Sequence, residues 1–138
     1  MEFKKILVPV AGRGADDETM RLACRLAKKD KGVIWAVCVI TIKRALPLDA
    51  EIESEIKEAE QLLDHIEQVA EEEDMTIDTD VLQAREAGPA IIDEAAERES
   101  DLILMGISYK KRFGQFSLGN VVPYVLKNAP CPVLLYHQ

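Results

Sequence analysis

Apolar residues along this chain fall into two rhythms. Four stretches are continuous and short: Ile6-Leu7-Val8-Pro9-Val10, residues 33–40, Leu102-Ile103-Leu104-Met105 and Val133-Leu134-Leu135-Tyr136. Runs of this length with no polar face suit strands covered on both sides. Between them the apolar positions recur in steps of three and four. Met20, Ala23, Cys24 and Ala27 form one such stripe, and Ile52, Ile56, Ala59, Leu63, Ile66 and Ala70 form a longer one. Ile91, Ile92, Ala95 and Ala96 form a third. These spacings place the side chains on one side of a helix. Residues 77–84 instead alternate apolar and polar positions, which predicts a strand near a sheet edge.

Turn and cap residues divide the elements. Ala11-Gly12-Arg13-Gly14 ends the first strand, and Asp16, Asp17 and Glu18 supply acids for the first turn of a helix that reaches Lys28-Lys29 before Gly32. A loop over residues 41–48 contains Pro47, and a long helix is expected over residues 49–74. Gly88-Pro89 opens the third helix, where proline is tolerated at the first helical position. The fourth strand runs into Gly106, and a basic loop over residues 107–118 leads to a last helix over residues 120–127, with Pro123 in its first turn. Asn128-Ala129-Pro130 ends that helix ahead of the final strand. The order β-α-β-α-β-α-β-α-β predicts a single α/β domain over residues 1–138. It would be an open five-stranded parallel sheet with right-handed crossovers and helices on both faces. Ligands of such sheets bind beyond the carboxyl ends of the strands, where strand order reverses. That points to the turns after the first and fourth strands.

Composition narrows the chemistry. The chain has 138 residues, 48% hydrophobic, enough for one real core. Its formal net charge of −8 argues against a general nucleic-acid binder, which needs clustered Lys and Arg. Lys110, Lys111 and Arg112 are a local exception that can attract one small anion, and Arg13 can add to it. The amino-terminal run is too short for a signal or a membrane span, so a cytoplasmic protein is expected, with no membrane insertion. Three widely spaced cysteines, Cys24, Cys38 and Cys131, read as reduced, mostly buried thiols. Two distant histidines, His65 and His137, and no cysteine pair give no metal site. His65, among glutamates on the long helix, reads as solvated or ion-paired. Asp16 and Asp17 read as caps of the first helix rather than as a base or metal ligands. No serine has a base partner that the sequence can place, so no catalytic residue is assigned.

Strand, basic loop and helix start together make an arrangement suited to phosphate, because the first N–H groups of a helix are unpaired and its dipole favours negative charge. Gly106, two residues, Tyr109, nine residues and then Gly119-Asn120 give the spacing. On these positions, on Lys5-Ile6-Leu7-Val8-Pro9-Val10 and on Asn128-Ala129-Pro130-Cys131-Pro132-Val133, the chain resembles the universal stress protein family over almost its full length. ATP-binding members of that family carry glycine, two residues, glycine, nine residues, then glycine and serine or threonine.

The resemblance implies an adenine-nucleotide alpha-hydrolase-like sheet in strand order 3-2-1-4-5. It also implies a homodimeric stress-response module that binds ATP or another adenine nucleotide, with or without Mg²⁺, and that is not a strong enzyme. Adenine would lie against Pro9, Val10 and Val39, and the phosphates over Gly106 and the Gly119-Asn120-Val121 helix start. Ala11, Met105 and Tyr109 would belong to the same nucleotide site, with Lys110, Lys111 and Arg112 supplying charge to the phosphate loop. The dimer would pair the last strand, Val133-Leu134-Leu135-Tyr136, across a twofold axis, as its apolar edge also suggests. Three positions depart from the pattern. Tyr109 stands for the second glycine, Asn120 for the hydroxyl residue, and Ala11 for an aspartate common after the first strand. Two other readings follow from them: a non-nucleotide interaction member with an altered pocket, and, ranked last, a weak ATP hydrolase.

Overall fold

The computed structural model describes residues 1–107, 110–112, 115–117 and 120–137, with only the backbone described for 110–112 and 115–117. Tyr109 and Gly119 lie outside the described residues, as do the side chains of Lys110, Lys111 and Arg112.

The chain runs β1 (Lys5–Pro9), α1 (Asp16–Asp30), β2 (Val33–Thr41), α2 (Glu53–Glu72), β3 (Asp78–Ala84), α3 (Ala87–Glu97), β4 (Leu102–Ile107), β5 (Lys110–Arg112), β6 (Gln115–Ser117), α4 (Val121–Asn128) and β7 (Val133–His137). The five long strands form one parallel sheet in the order β3-β2-β1-β4-β7. With the small hairpin set aside, this is the expected order 3-2-1-4-5. The segment read as a loop after β4 contains that hairpin, β5 paired antiparallel with β6. β5 is Lys110-Lys111-Arg112 and β6 is Gln115-Phe116-Ser117, so the hairpin carries a single apolar residue, too few for an alternation that hydropathy could announce.

Alternation along β1 splits the core in two. Ile6 and Val8 pack with Met20 and Cys24 of α1 and with Leu63 and Ile66 of α2. Leu7, between them, points the other way and packs with Ile91 of α3 and Val122 and Val125 of α4. A strand's period of two produces this two-sided burial. All six residues of β4 are buried, as a central strand should be. β3 and β7 form the sheet edges, with β7 apolar and half-buried over Val133–Tyr136.

α2 begins at Glu53, four residues later than expected from the sequence. Ile52 is extended and serves as the N-cap, and residues 43–50 are tied down instead. Gln83 donates to the carbonyls of Leu48 and Ala50, and Arg85 donates to those of Ile42, Lys43 and Leu46. Helix starts are where sequence reading is weakest, because tertiary hydrogen bonds compete with local propensity. No helix among the described residues is long and apolar enough to cross a membrane.

Candidate functional site

Strand order reverses between β1 and β4, and a cleft opens at the carboxyl ends of these strands. Its volume is about 120 Å³. Pro9, Val10 and Ala11 of the β1 turn form one wall, with Val37 and Val39 of β2 beside them. Met105 and Gly106 of β4 and Val121 at the start of α4 form another, and Ala87 and Ile91 of α3 close the side. Arg13 and Asp16 are its charged residues. Seven positions expected from the sequence therefore surround one space: Pro9, Val10, Ala11, Val39, Met105, Gly106 and Val121. Asn120 stands just beyond it, on an adjoining hollow that shares Val121.

Asp16 organises the β1 turn. One carboxylate oxygen, Oδ2, accepts the N–H groups of Ala11, Gly12 and Arg13 at 3.1, 2.8 and 3.0 Å. The Asp16 N–H donates back to the Arg13 carbonyl at 3.1 Å. Val10 anchors the turn to the sheet through its N–H, which donates to Val37 at 2.8 Å. Asp16 is only 3% exposed, and burial pushes its pKa above the ordinary carboxylate value against the pull of the three N–H groups. The aspartate expected to cap α1 thus caps the preceding turn; the N-cap position is Ala15 and has no side-chain cap. The cue was present in the sequence as an acid four residues after Gly12, whose φ of +79° marks a tight turn.

Gly106 is needed on the side away from the cleft. A Cβ there would overlap the Thr19 hydroxyl and stand 3.1 Å from the Cβ and carbonyl oxygen of Ala15. Thr19 is buried, and its hydroxyl donates to the Ala15 carbonyl at 2.7 Å. The glycine lets β4 pass close under the first turn of α1.

Asn120 occupies the N-cap position of α4 without a side-chain capping bond. The third helical residue is Pro123, which has no N–H to give, so one of the two usual cap donors is missing. Among the described residues, the first N–H groups of α4, at Val121 and Val122, have no side-chain partner, and they start at the cleft wall. An apolar slot beside an uncapped helix start fits a flat ring attached to an anion.

Other candidates lie elsewhere. His65 Nε2 is 3.0 Å from both carboxylate oxygens of Asp17, joining α2 to α1 on the exposed side. Among the described residues, no three His, Cys, Asp or Glu side chains gather as a metal site would require. The cysteines are free thiols. Burial raises the pKa of all three, Cys24 to about 11, and the nearby Asp16 charge raises Cys38 further. Asp16, Val37, Ala87 and Ile91 complete the cleft beyond the expected residues, and Arg13, expected as an added charge, lines it as well. Ala87 and Ile91 read from sequence only as core-facing helix positions.

The chain is a doubly wound α/β domain with an apolar cleft at the switch point of its parallel sheet. Residues 2–137 match the model of the universal stress protein family. The chain is 31% identical to universal stress protein MJ0531 of Methanocaldococcus jannaschii over 139 residues, spanning 96% of this chain and 81% of that one. It belongs to the universal stress protein family. Its fold is similar to that of universal stress protein UspA from Lactobacillus plantarum, with a TM-score of 0.79 at 23% identity, covering 99% of both chains. It is also similar to the universal stress protein from Archaeoglobus fulgidus in complex with dAMP, with a TM-score of 0.76 at 22% identity, covering 98% of both chains.

Proposed function

We propose that this protein is a cytoplasmic, homodimeric regulatory module that binds an adenine nucleotide in the cleft between β1, β4 and α4, and that it is not an enzyme. The observation that carries the reading is the convergence of Pro9, Val10, Val39, Met105 and Val121 around one slot beside an uncapped helix start. The dAMP complex of the Archaeoglobus fulgidus relative supports it. In this reading the adenine ring lies between the valines and Met105. Its phosphates face the first N–H groups of α4, where the helix dipole favours them. With Ala11 after β1 and Asp16 engaged by three N–H groups, the charged wall is the Arg13–Asp16 pair. The pocket therefore selects by shape and by phosphate rather than by a free carboxylate. No nucleophile with a partnered base lines the cleft among the described residues, so the role assigned is binding.

The test is calorimetric titration with ATP, ADP and AMP, with and without Mg²⁺, together with analysis of nucleotide released from freshly denatured protein. Micromolar binding or retained adenine nucleotide is expected. No binding at millimolar nucleotide would overturn the reading and favour an interaction protein whose pocket has been altered at Tyr109, Asn120 and Ala11.

A further inference from the structure

The cleft does not end at Val121. A second compartment of about 440 Å³ adjoins it, and Ala87 and Val121 belong to the walls of both. Its remaining wall combines three kinds of chemistry. Arg85 is held rigidly, because its Nη1 donates to the carbonyls of Ile42, Lys43 and Leu46. Nε and Nη2 make no hydrogen bond among the described residues. A guanidinium fixed in this way is prepared for an anion, since little side-chain freedom remains to be lost. Glu86 follows it on the same wall as an exposed carboxylate, an acceptor suited to sugar hydroxyls. Tyr124 supplies a ring. A Cβ at Gly88 would stand 2.8 Å from Tyr124 Cδ1 and 3.0 Å from Cγ, so only glycine lets the ring seat there. Tyr124 nevertheless stays 39% exposed. Asn120 stands at the junction of the two compartments, with no side-chain hydrogen bond among the described residues.

We propose that this compartment receives the second nucleoside of a dinucleotide whose first half occupies the cleft. The assignment rests on the nucleotide reading given above. In that reading the phosphates lie at Asn120 and Val121, which form the boundary between the spaces. A group joined through those phosphates enters the second compartment directly. There it meets Glu86 for sugar hydroxyls and Tyr124 for stacking, while Arg85 on the same wall supplies positive charge for the phosphate linkage. Aromatic rings accept any base on their π face, so the class of ligand is set by having two linked nucleosides rather than by the identity of the second base.

The experiment titrates the full chain with AMP, ATP, NAD⁺ and diadenosine tetraphosphate, and repeats the titrations with Tyr124→Ala and Tyr124→Leu. Tyr124→Leu keeps most of the apolar contact of α4 with α3 while removing the ring, and thermal melting checks that both variants are folded. At least one two-base ligand is expected to bind about tenfold or more tighter than AMP. Both variants should cancel that advantage while holding AMP affinity within about twofold. If AMP binds and neither two-base ligand binds tighter, the second compartment is not a nucleoside site, although the cleft reading stands. If the folded variants weaken AMP and the two-base ligands alike, the assignment of Tyr124 to a separate half-site fails. If nothing binds, both readings fall together.

Discussion

Gly106 of β4 and Thr19 of α1 stand so close that a single added carbon at Gly106 would overlap the Thr19 hydroxyl. The contact lies behind the cleft and sets how near the β4 terminus approaches the first turn of α1. Gly106→Ala is expected to destabilise the fold by about 1–3 kcal/mol through overpacking. Thr19→Ala removes the opposing hydroxyl, while the Ala15 carbonyl keeps the Thr19 N–H at 3.0 Å. The double variant should therefore recover part of the loss. Urea unfolding of the four proteins reads the coupling, and additive losses would show that the two residues do not compete for this space.

Asp16 gives the fold a distinct response to acid. Its folded pKa is raised by burial, so the folded state holds its proton more tightly than the unfolded chain does. Over the window from the ordinary aspartate value near 3.8 upward to the folded value, stability carried by this group falls as pH rises. Asp16→Asn removes that titration and keeps a side-chain oxygen for the turn. The stability of the parent relative to this variant should be greater at pH 4 than at pH 7 in denaturant melts. A difference that runs the other way would mean that the three N–H groups outweigh burial.

Asp16→Ala makes a separate case, because it strands the N–H groups of Ala11, Gly12 and Arg13 that share one oxygen. A loss of about 1–3 kcal/mol is expected, with nucleotide affinity falling as the cleft wall loosens. Full retention of both properties would show that the turn keeps its shape without the carboxylate.

The three thiols should be poor nucleophiles in the native protein. Cys24 is fully buried, with its pKa pushed up to about 11 by burial and then by the Glu73 charge. At pH 7, thiol labelling of Cys24 should wait for unfolding, whereas all three cysteines should react at once in urea. Because the folded thiol resists ionisation, stability should also decline as pH rises from about 9 toward about 11. Rapid labelling of Cys24 in native buffer would contradict the burial described.

The last strand leaves an apolar, half-buried edge at β7, from Val133 to Tyr136. Unpaired edges of this kind are sites for joining a second chain. Light scattering after size exclusion should give twice the chain mass of 15.4 kDa. A monomer across the micromolar range would remove the dimer from the proposed function.

Much of this architecture is legible along the chain, for physical reasons that differ from element to element. β1, β2 and β4 are central strands, and burial on both faces forces continuous apolar runs that stand out in any window. β3 alternates because it lies at an edge. The stripe from Ile52 to Ala70 marks α2, although the helix itself begins only at Glu53, because Gln83 and Arg85 hold the preceding segment as a strap. The turn acids Asp16 and Asp17 looked alike in sequence. The fold separates them, burying Asp16 under the Ala11–Arg13 backbone and leaving Asp17 on the surface against His65.

Order of elements, the parallel sheet and its switch point follow from local pattern, because a strand's period, a helix's period and the right-handed crossover are all short-range constraints. The cleft is different. Ala87 and Ile91 reach it only because α3 crosses the same sheet face as α4, and Gly106 serves α1 packing because β4 passes under Thr19. The hollow between Arg85 and Tyr124 exists because two helix starts and a strapped loop meet at one end of the sheet. Contacts between residues far apart in sequence leave no periodic trace, so they arise only when the chain has closed on itself.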